Sequence, residues 1–144
     1  MHIDIITQKL ELQLYGFGSI ASNKDYTGTA FSLSNKMWQV IKANGIKNKG
    51  KNIWVYDIGD SVFAGVELEN NAAGLGLENK KIILEKYAWY KHTGPYHLIK
   101  QVGQEMQKEL QRRGFQTRLP YIEIYGHWTG DEATAETELL MSLE

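Results

Sequence analysis

The sequence predicts an α+β fold built from two strand–helix–strand–strand modules, with a mainly antiparallel sheet, two helices and pseudo-two-fold symmetry. Three observations carry that expectation. Apolar residues alternate with a period of two in several short segments, the mark of half-buried strands. Two other segments carry an apolar stripe at helical spacing. Each stripe stops at a glycine, and the strand that follows begins at the same offset in both halves of the chain.

The elements follow in order. Leu10-Glu11-Leu12-Gln13-Leu14-Tyr15 alternates as a strand running to Gly18, and the polar stretch from Ser19 to Thr29 reads as loop. Ala30, Leu33, Met37 and Ile41 step by three and four, which makes a helix that Asn44-Gly45 ends. The basic run Lys47–Lys51 reads as a solvated loop just past that end, where cations suit the helix dipole. Ile53–Tyr56 and Ser61–Leu68 form a hairpin about Gly59-Asp60, and residues 70–79 read as a linker. The plan then repeats. Lys81–Lys91 reads as one strand, and His92-Thr93-Gly94-Pro95 leads into a helix with Thr93 as a candidate cap and Pro95 in the first turn. Ile99, Val102, Met106 and Leu110 are its buried stripe, and Arg112-Arg113-Gly114 closes it. Tyr121–Tyr125 and Thr137–Leu143 are the last two strands. Trp54 lies nine residues past Gly45, and Glu123 nine past Gly114, so the modules span residues 10–69 and 81–144 of a single domain.

Composition bounds the function. A chain of 144 residues, 42% hydrophobic and 23% charged, is long enough to bury a core without disulfides or metal. Sixteen Lys and Arg against 17 Asp and Glu give a net charge of −1, which argues against a direct nucleic-acid binder. With no cysteine there is no thiol nucleophile and no Cys-based zinc site, and a reducing cytoplasm fits. No apolar run reaches the roughly 20 residues of a membrane span, and the opening Met1-His2-Ile3-Asp4 is not that of a secretory leader. His92 and His97 have no third ligand near them in sequence, so no metal or other cofactor is expected. Gly16-Phe17-Gly18 and Gly74-Leu75-Gly76 lack the continuation of a phosphate loop.

The chemistry lies in the aromatic residues. Four Trp, eight Tyr and four Phe sit largely beside polar groups. In the two matched strands, Ile53, Val55, Ile122 and Ile124 share one face, and their β-branched side chains suit packing against the helices. The other face then carries Trp54, Tyr56, Tyr121, Glu123 and Tyr125, with Trp54 and Glu123 at equivalent positions. A carboxylate removed from water must be protonated, hydrogen-bonded or matched by a cation, and tyrosine hydroxyls supply hydrogen bonds. Aromatic walls attract organic cations by about 0.5–2 kcal/mol. The pattern thus fits a pocket for a lipophilic, aromatic cation, to which Trp89 and, from the first helix, Trp38 are further candidates. It fits equally a solvated edge carboxylate beside surface tyrosines, with Trp38 a core residue.

The segment Lys86-Tyr87-Ala88-Trp89-Tyr90-Lys91-His92-Thr93-Gly94-Pro95-Tyr96, followed by Pro120-Tyr121-Ile122-Glu123-Ile124-Tyr125 and Thr137-Glu138-Leu139-Leu140-Met141-Ser142-Leu143, resembles the GyrI-like effector-binding family. The resemblance covers essentially the whole chain, although its specific motifs lie after residue 80. It implies the duplicated GyrI-like, SOUL-type fold and a small-molecule site like those of MerR-type and AraC-type multidrug regulators. In those sensors the glutamate of the matching strand meets the ligand's positive charge among aromatic residues, a role that falls to Glu123 with Tyr125 beside it. Ser142 stands where the family often has proline. The regulators carry a DNA-binding domain before the sensor, whereas here Met1 stands almost at the first strand, so a regulatory role would run through a partner chain. Two other readings belong to the same family. One is hydrolysis of reactive compounds with Glu123 and Tyr125 as an acid–base pair. The other is a gyrase-inhibitor-like protein contact, for which the Lys47–Lys51 loop is a candidate.

Overall fold

The structure is a computed structural model and describes residues 1–69 and 76–144. Part of the expected linker, residues 70–75, lies outside the described residues. Eight strands form one antiparallel sheet: β1 (Asp4–Ile6), β2 (Leu10–Ile20), β3 (Asn52–Asp57), β4 (Ser61–Val66), β5 (Glu78–Leu84), β6 (Tyr87–Thr93), β7 (Thr117–Tyr125) and β8 (Glu136–Leu143). Two helices, α1 (Tyr26–Asn44) and α2 (Ile99–Arg112), complete the α+β fold. The order β2–α1–β3–β4 recurs as β6–α2–β7–β8.

Local chemistry explains the helix boundaries. Asp25 caps α1 by accepting the Gly28 N–H at 3.1 Å, and Gly45, left-handed at φ 57°, stops it. Ala30, Ser34, Met37 and Ile41 are its buried stripe. Gly114, at φ 86°, follows α2, whose buried stripe is Ile99, Met106 and Leu110. Thr93 does not cap α2. It ends β6, and Pro95 precedes a short 3₁₀ turn, Tyr96–Leu98, from which α2 continues.

The sheet runs β1-β6-β8-β7-β3-β4-β2-β5, so β7 and β3 are the central pair. Two details correct the sequence reading. The single strand expected over Lys81–Lys91 is two strands, β5 and β6, broken at Glu85-Lys86. Those strands lie toward opposite ends of the sheet, although only two residues separate them. A flat sheet cannot meet that constraint, because neighbouring strands stand about 4.8 Å apart and several intervene. The sheet therefore rolls until its ends approach.

The roll decides which face is which. Its inside is lined by Leu12, Leu14, Ile53, Val55, Phe63, Ile82, Leu84, Tyr87, Ile122 and Leu140, drawn from both ends and the centre. Gly16 and Gly65 pair on this inner side, where a Cβ on Gly16 would overlap the Ala64 carbonyl oxygen. The expectation that Ile53, Val55, Ile122 and Ile124 meet the helices is thus reversed. That face covers itself, and the helices lie on the outer one, α1 against Phe17, Val62, Ala64 and Val66 and α2 against Ala88, Leu139, Met141 and Leu143. No helix among the described residues is long and apolar enough to cross a membrane.

Candidate functional site

On the helix-covered face, the pairing of β3 with β7 sets Trp54 opposite Glu123, Tyr56 opposite Tyr121 and Asn52 opposite Tyr125. Residues facing each other across an antiparallel pair hold their Cβ atoms about 4.5–5.5 Å apart. Two adjacent strands of alternating sequence therefore suffice to gather four aromatic residues of the expected site around the carboxyl group of the fifth, Glu123. The helices lie to either side. Tyr26 and Phe31 of α1 meet Tyr56 and Trp54 edge-on, and Gly103 of α2 faces the Tyr121 hydroxyl.

Glu123 is 8% exposed. Tyr125 donates its hydroxyl to Oε1 at 2.7 Å and Tyr121 to Oε2 at 2.8 Å, while Tyr56 makes a longer bond to Oε1 at 3.4 Å. Burial drives the Glu123 pKa above the ordinary carboxylate range, and the three hydroxyls pull it partly back. Among the described residues Glu123 joins no ion pair with a lysine, arginine or histidine. The same burial, together with the nearby carboxylate, raises the pKa of Tyr56, Tyr121 and Tyr125. All three stay protonated at neutral pH and act as donors.

The rings form a continuous wall. Tyr56 stacks on Tyr121 at 5.9 Å with 19° between planes, and Trp54 meets Tyr125 at 4.7 Å. Tyr96, in the 3₁₀ turn before α2, packs edge-on against Tyr125 at 5.7 Å and continues to Trp128 at 6.2 Å. Phe31 and Trp128 are 58% and 61% exposed, so the wall reaches solvent on both sides. Two clefts, of about 300 Å³ beside Gly18 and Phe63 and about 530 Å³ beside Gln107 and Phe115, lie apart from Glu123.

Two expected site residues lie elsewhere. Trp38 packs with Phe17, Met37, Ile41, Val66 and Leu68 under α1, because its position on the helix turns it along the β2–β4 side. Trp89 pairs with Leu140 on the inside of the roll and donates its indole N–H to Glu138 at 2.8 Å, on the opposite side of the sheet from Glu123. Sequence reasoning missed Tyr26, Phe31, Tyr96 and Trp128. The pairing of Tyr96 with Gly94-Pro95 and the step from Tyr26 to Phe31 along a helix were visible, but their direction depends on which face the helices cover. His92 is buried and donates from Nε2 to the Pro95 carbonyl at 3.2 Å, which braces the turn before α2. No metal-ligand cluster occurs among the described residues.

Comparison with known proteins bears on the fold. No protein-family model matches the sequence, and no curated protein matches it either. Solved structures do. SAV2435, in a structure bound to tetraphenylphosphonium, is 17% identical over 100% of this chain and 94% of its own, with a TM-score of 0.70. The C-terminal domain of EcmrR is 16% identical over 100% of this chain and 99% of its own, also at 0.70. Against EcmrR in its DNA complex, this chain spans 57% of that chain, at 15% identity and a TM-score of 0.68. A hydrolase from Listeria innocua is 10% identical over 99% of this chain and 91% of its own, at 0.59. The fold is theirs. It is also the fold that the GyrI-like motifs imply.

Proposed function

We propose that this protein is a small-molecule effector-binding domain of the GyrI-like type, acting in the cytoplasm on lipophilic aromatic cations. One observation carries the reading: a buried carboxylate ringed by three tyrosine hydroxyls, with no protein cation to neutralise it among the described residues. A buried acid of this kind is held ready for a positive partner, since an organic cation would restore the charge balance that burial removes. The surrounding rings supply cation–π attraction and apolar contact area. The tetraphenylphosphonium held by SAV2435 has that chemistry, and the likeness to EcmrR suggests that occupancy is passed to a transcription partner.

Entry requires the rings to part. The Tyr56–Tyr121 stack and the partly exposed Tyr125 and Tyr96 are the movable elements, whereas Trp54, at 4% exposure, forms the floor. The hydroxyl bonds keep the carboxylate satisfied in the empty state, and the guest exchanges them for a charge contact.

The test compares tetraphenylphosphonium with neutral triphenylphosphine oxide by quenching of tryptophan fluorescence. Glu123→Gln weakens the cation by about 1.5–3 kcal/mol, the worth of a charge-assisted contact, and the neutral compound much less. Equal losses for the two compounds would remove charge recognition from the mechanism. A second reading, hydrolysis, draws on the raised Glu123 pKa beside Tyr125 at 2.7 Å, the arrangement of a general acid. Turnover of a reactive electrophile that is lost in Glu123→Gln would favour it.

A further inference from the structure

Three buried side-chain polar atoms among the described residues have no hydrogen-bond partner: Trp54 Nε1, Asn52 Oδ1 and Thr137 Oγ1. Such atoms are rare in folded proteins, because each forfeits the hydrogen bond it had in water. Scattered orphans would carry no message. These three are neighbours. Asn52 and Thr137 pair with Tyr125 from either side, on β3 and β8, and Trp54 stands two residues beyond Asn52, opposite Glu123. All therefore lie on the helix-covered face, around the residue that holds the carboxylate.

Their chemistry is complementary. The indole N–H only donates. Asn52 donates one amide N–H to Ser34 Oγ at 2.8 Å, and its oxygen is left as a free acceptor. The Thr137 hydroxyl does both and is fully buried. Trp54 is held by Phe31 and Tyr125 in a ring contact that fixes its plane.

We infer that Trp54, Asn52 and Thr137 form a polar subsite beside the Glu123 carboxylate, which selects effectors carrying a neutral donor–acceptor group, a primary amide or hydroxyl, next to the cationic centre. The inference rests on the cation-binding reading and refines it. The carboxylate reads charge, the rings read bulk, and the three orphans read a polar substituent. An all-hydrocarbon cation leaves them unpaired, so it is a poorer guest than one that satisfies them.

The experiment uses two phosphonium cations of matched charge and similar bulk, (carbamoylmethyl)triphenylphosphonium and propyltriphenylphosphonium, titrated into the full chain. The amide compound binds about tenfold more tightly, the yield of one to two good hydrogen bonds. Trp54→Phe keeps a ring but removes the N–H, and the ratio of the two affinities falls toward one. Thr137→Val, isosteric and without the hydroxyl, lowers the same ratio and keeps the test alive if Trp54→Phe fails to fold. Equal affinities for the two cations in the unaltered protein overturn the subsite while leaving the Glu123 reading in place. A ratio that survives both substitutions also overturns it. If neither cation binds, both readings fall together.

Discussion

The central strands β3 and β7 present two faces that differ in almost every physical respect. Inside the roll, Ile53, Val55 and Ile122 are fully buried among largely apolar neighbours, Leu12, Leu14, Phe63 and Leu140 among them. On the helix side, Trp54, Tyr56, Tyr121 and Tyr125 surround Glu123, an acid whose burial raises its pKa. One register of hydrogen bonds positions both sets. The dry face stabilises the sheet, and that surplus lets the other face hold a group whose ionisation opposes folding.

The sharpest way to break this division is to cut into the dry face. Ile122→Ala removes a side chain at 0% exposure and costs about 2–5 kcal/mol in urea unfolding. Cation affinity in the fraction that stays folded changes far less, because Ile122 points away from Glu123. A mutant that loses affinity in proportion to stability would show that the two faces are not separable.

Next in size is the dependence on pH. The Glu123 pKa is raised on folding, so the folded chain binds more protons than the unfolded chain between the ordinary carboxylate value and the raised one. Stability is therefore fully present below the unfolded value near 4.5 and declines as pH rises through the folded one. Each unit of that gap corresponds to about 1.4 kcal/mol. Glu123→Gln removes this decline, so its advantage over the parent grows with pH. A cation stabilises the ionised form, so its affinity rises over the same range and binding releases a proton. Glu109 gives the opposite signature at the surface. Hydrogen bonds from Arg112 and Arg113 hold it down to about 2, so its contribution fades only as pH falls toward that value. A parent protein whose stability falls with pH no faster than that of Glu123→Gln would mean the carboxyl is hydrated.

How much of this was legible in the sequence follows from the same contrast. Alternation along two strands identified the five residues that meet, because side-chain period is a local property. The glycine stops located the ends of both helices, at Gly45 and Gly114. Which side the helices cover was not local. It depends on the Glu85-Lys86 break that sends β5 and β6 to opposite ends of the sheet, and on Gly16 and Gly65, which permit the roll. Trp89 shares its strand with residues of the expected site motif, yet its position two residues from Tyr87 puts it inside the roll. Trp38 belongs to the helix stripe beside Met37 and Ile41. Tyr96 and Trp128 come from turns, whose direction no periodicity encodes.

The finest distinction lies within the polar face itself, among the three hydroxyls on one carboxylate. Tyr121 and Tyr125 bond at 2.8 and 2.7 Å, the usual length of a well-formed O–H···O bond, while Tyr56 stands at 3.4 Å. Removing a short bond to the charged form raises the Glu123 pKa further, so Tyr121→Phe shifts the pH midpoint of cation binding upward. Tyr56→Phe shifts it least, since a bond stretched to that length contributes little. Its ring remains stacked on Tyr121, and affinity changes by less than about 0.5 kcal/mol. Equal shifts for Tyr56→Phe and Tyr121→Phe would mean that the hydroxyls act as an interchangeable set rather than through their separate distances. Measuring the midpoint in both variants decides between those two descriptions, because each substitution keeps its ring and removes only the hydroxyl.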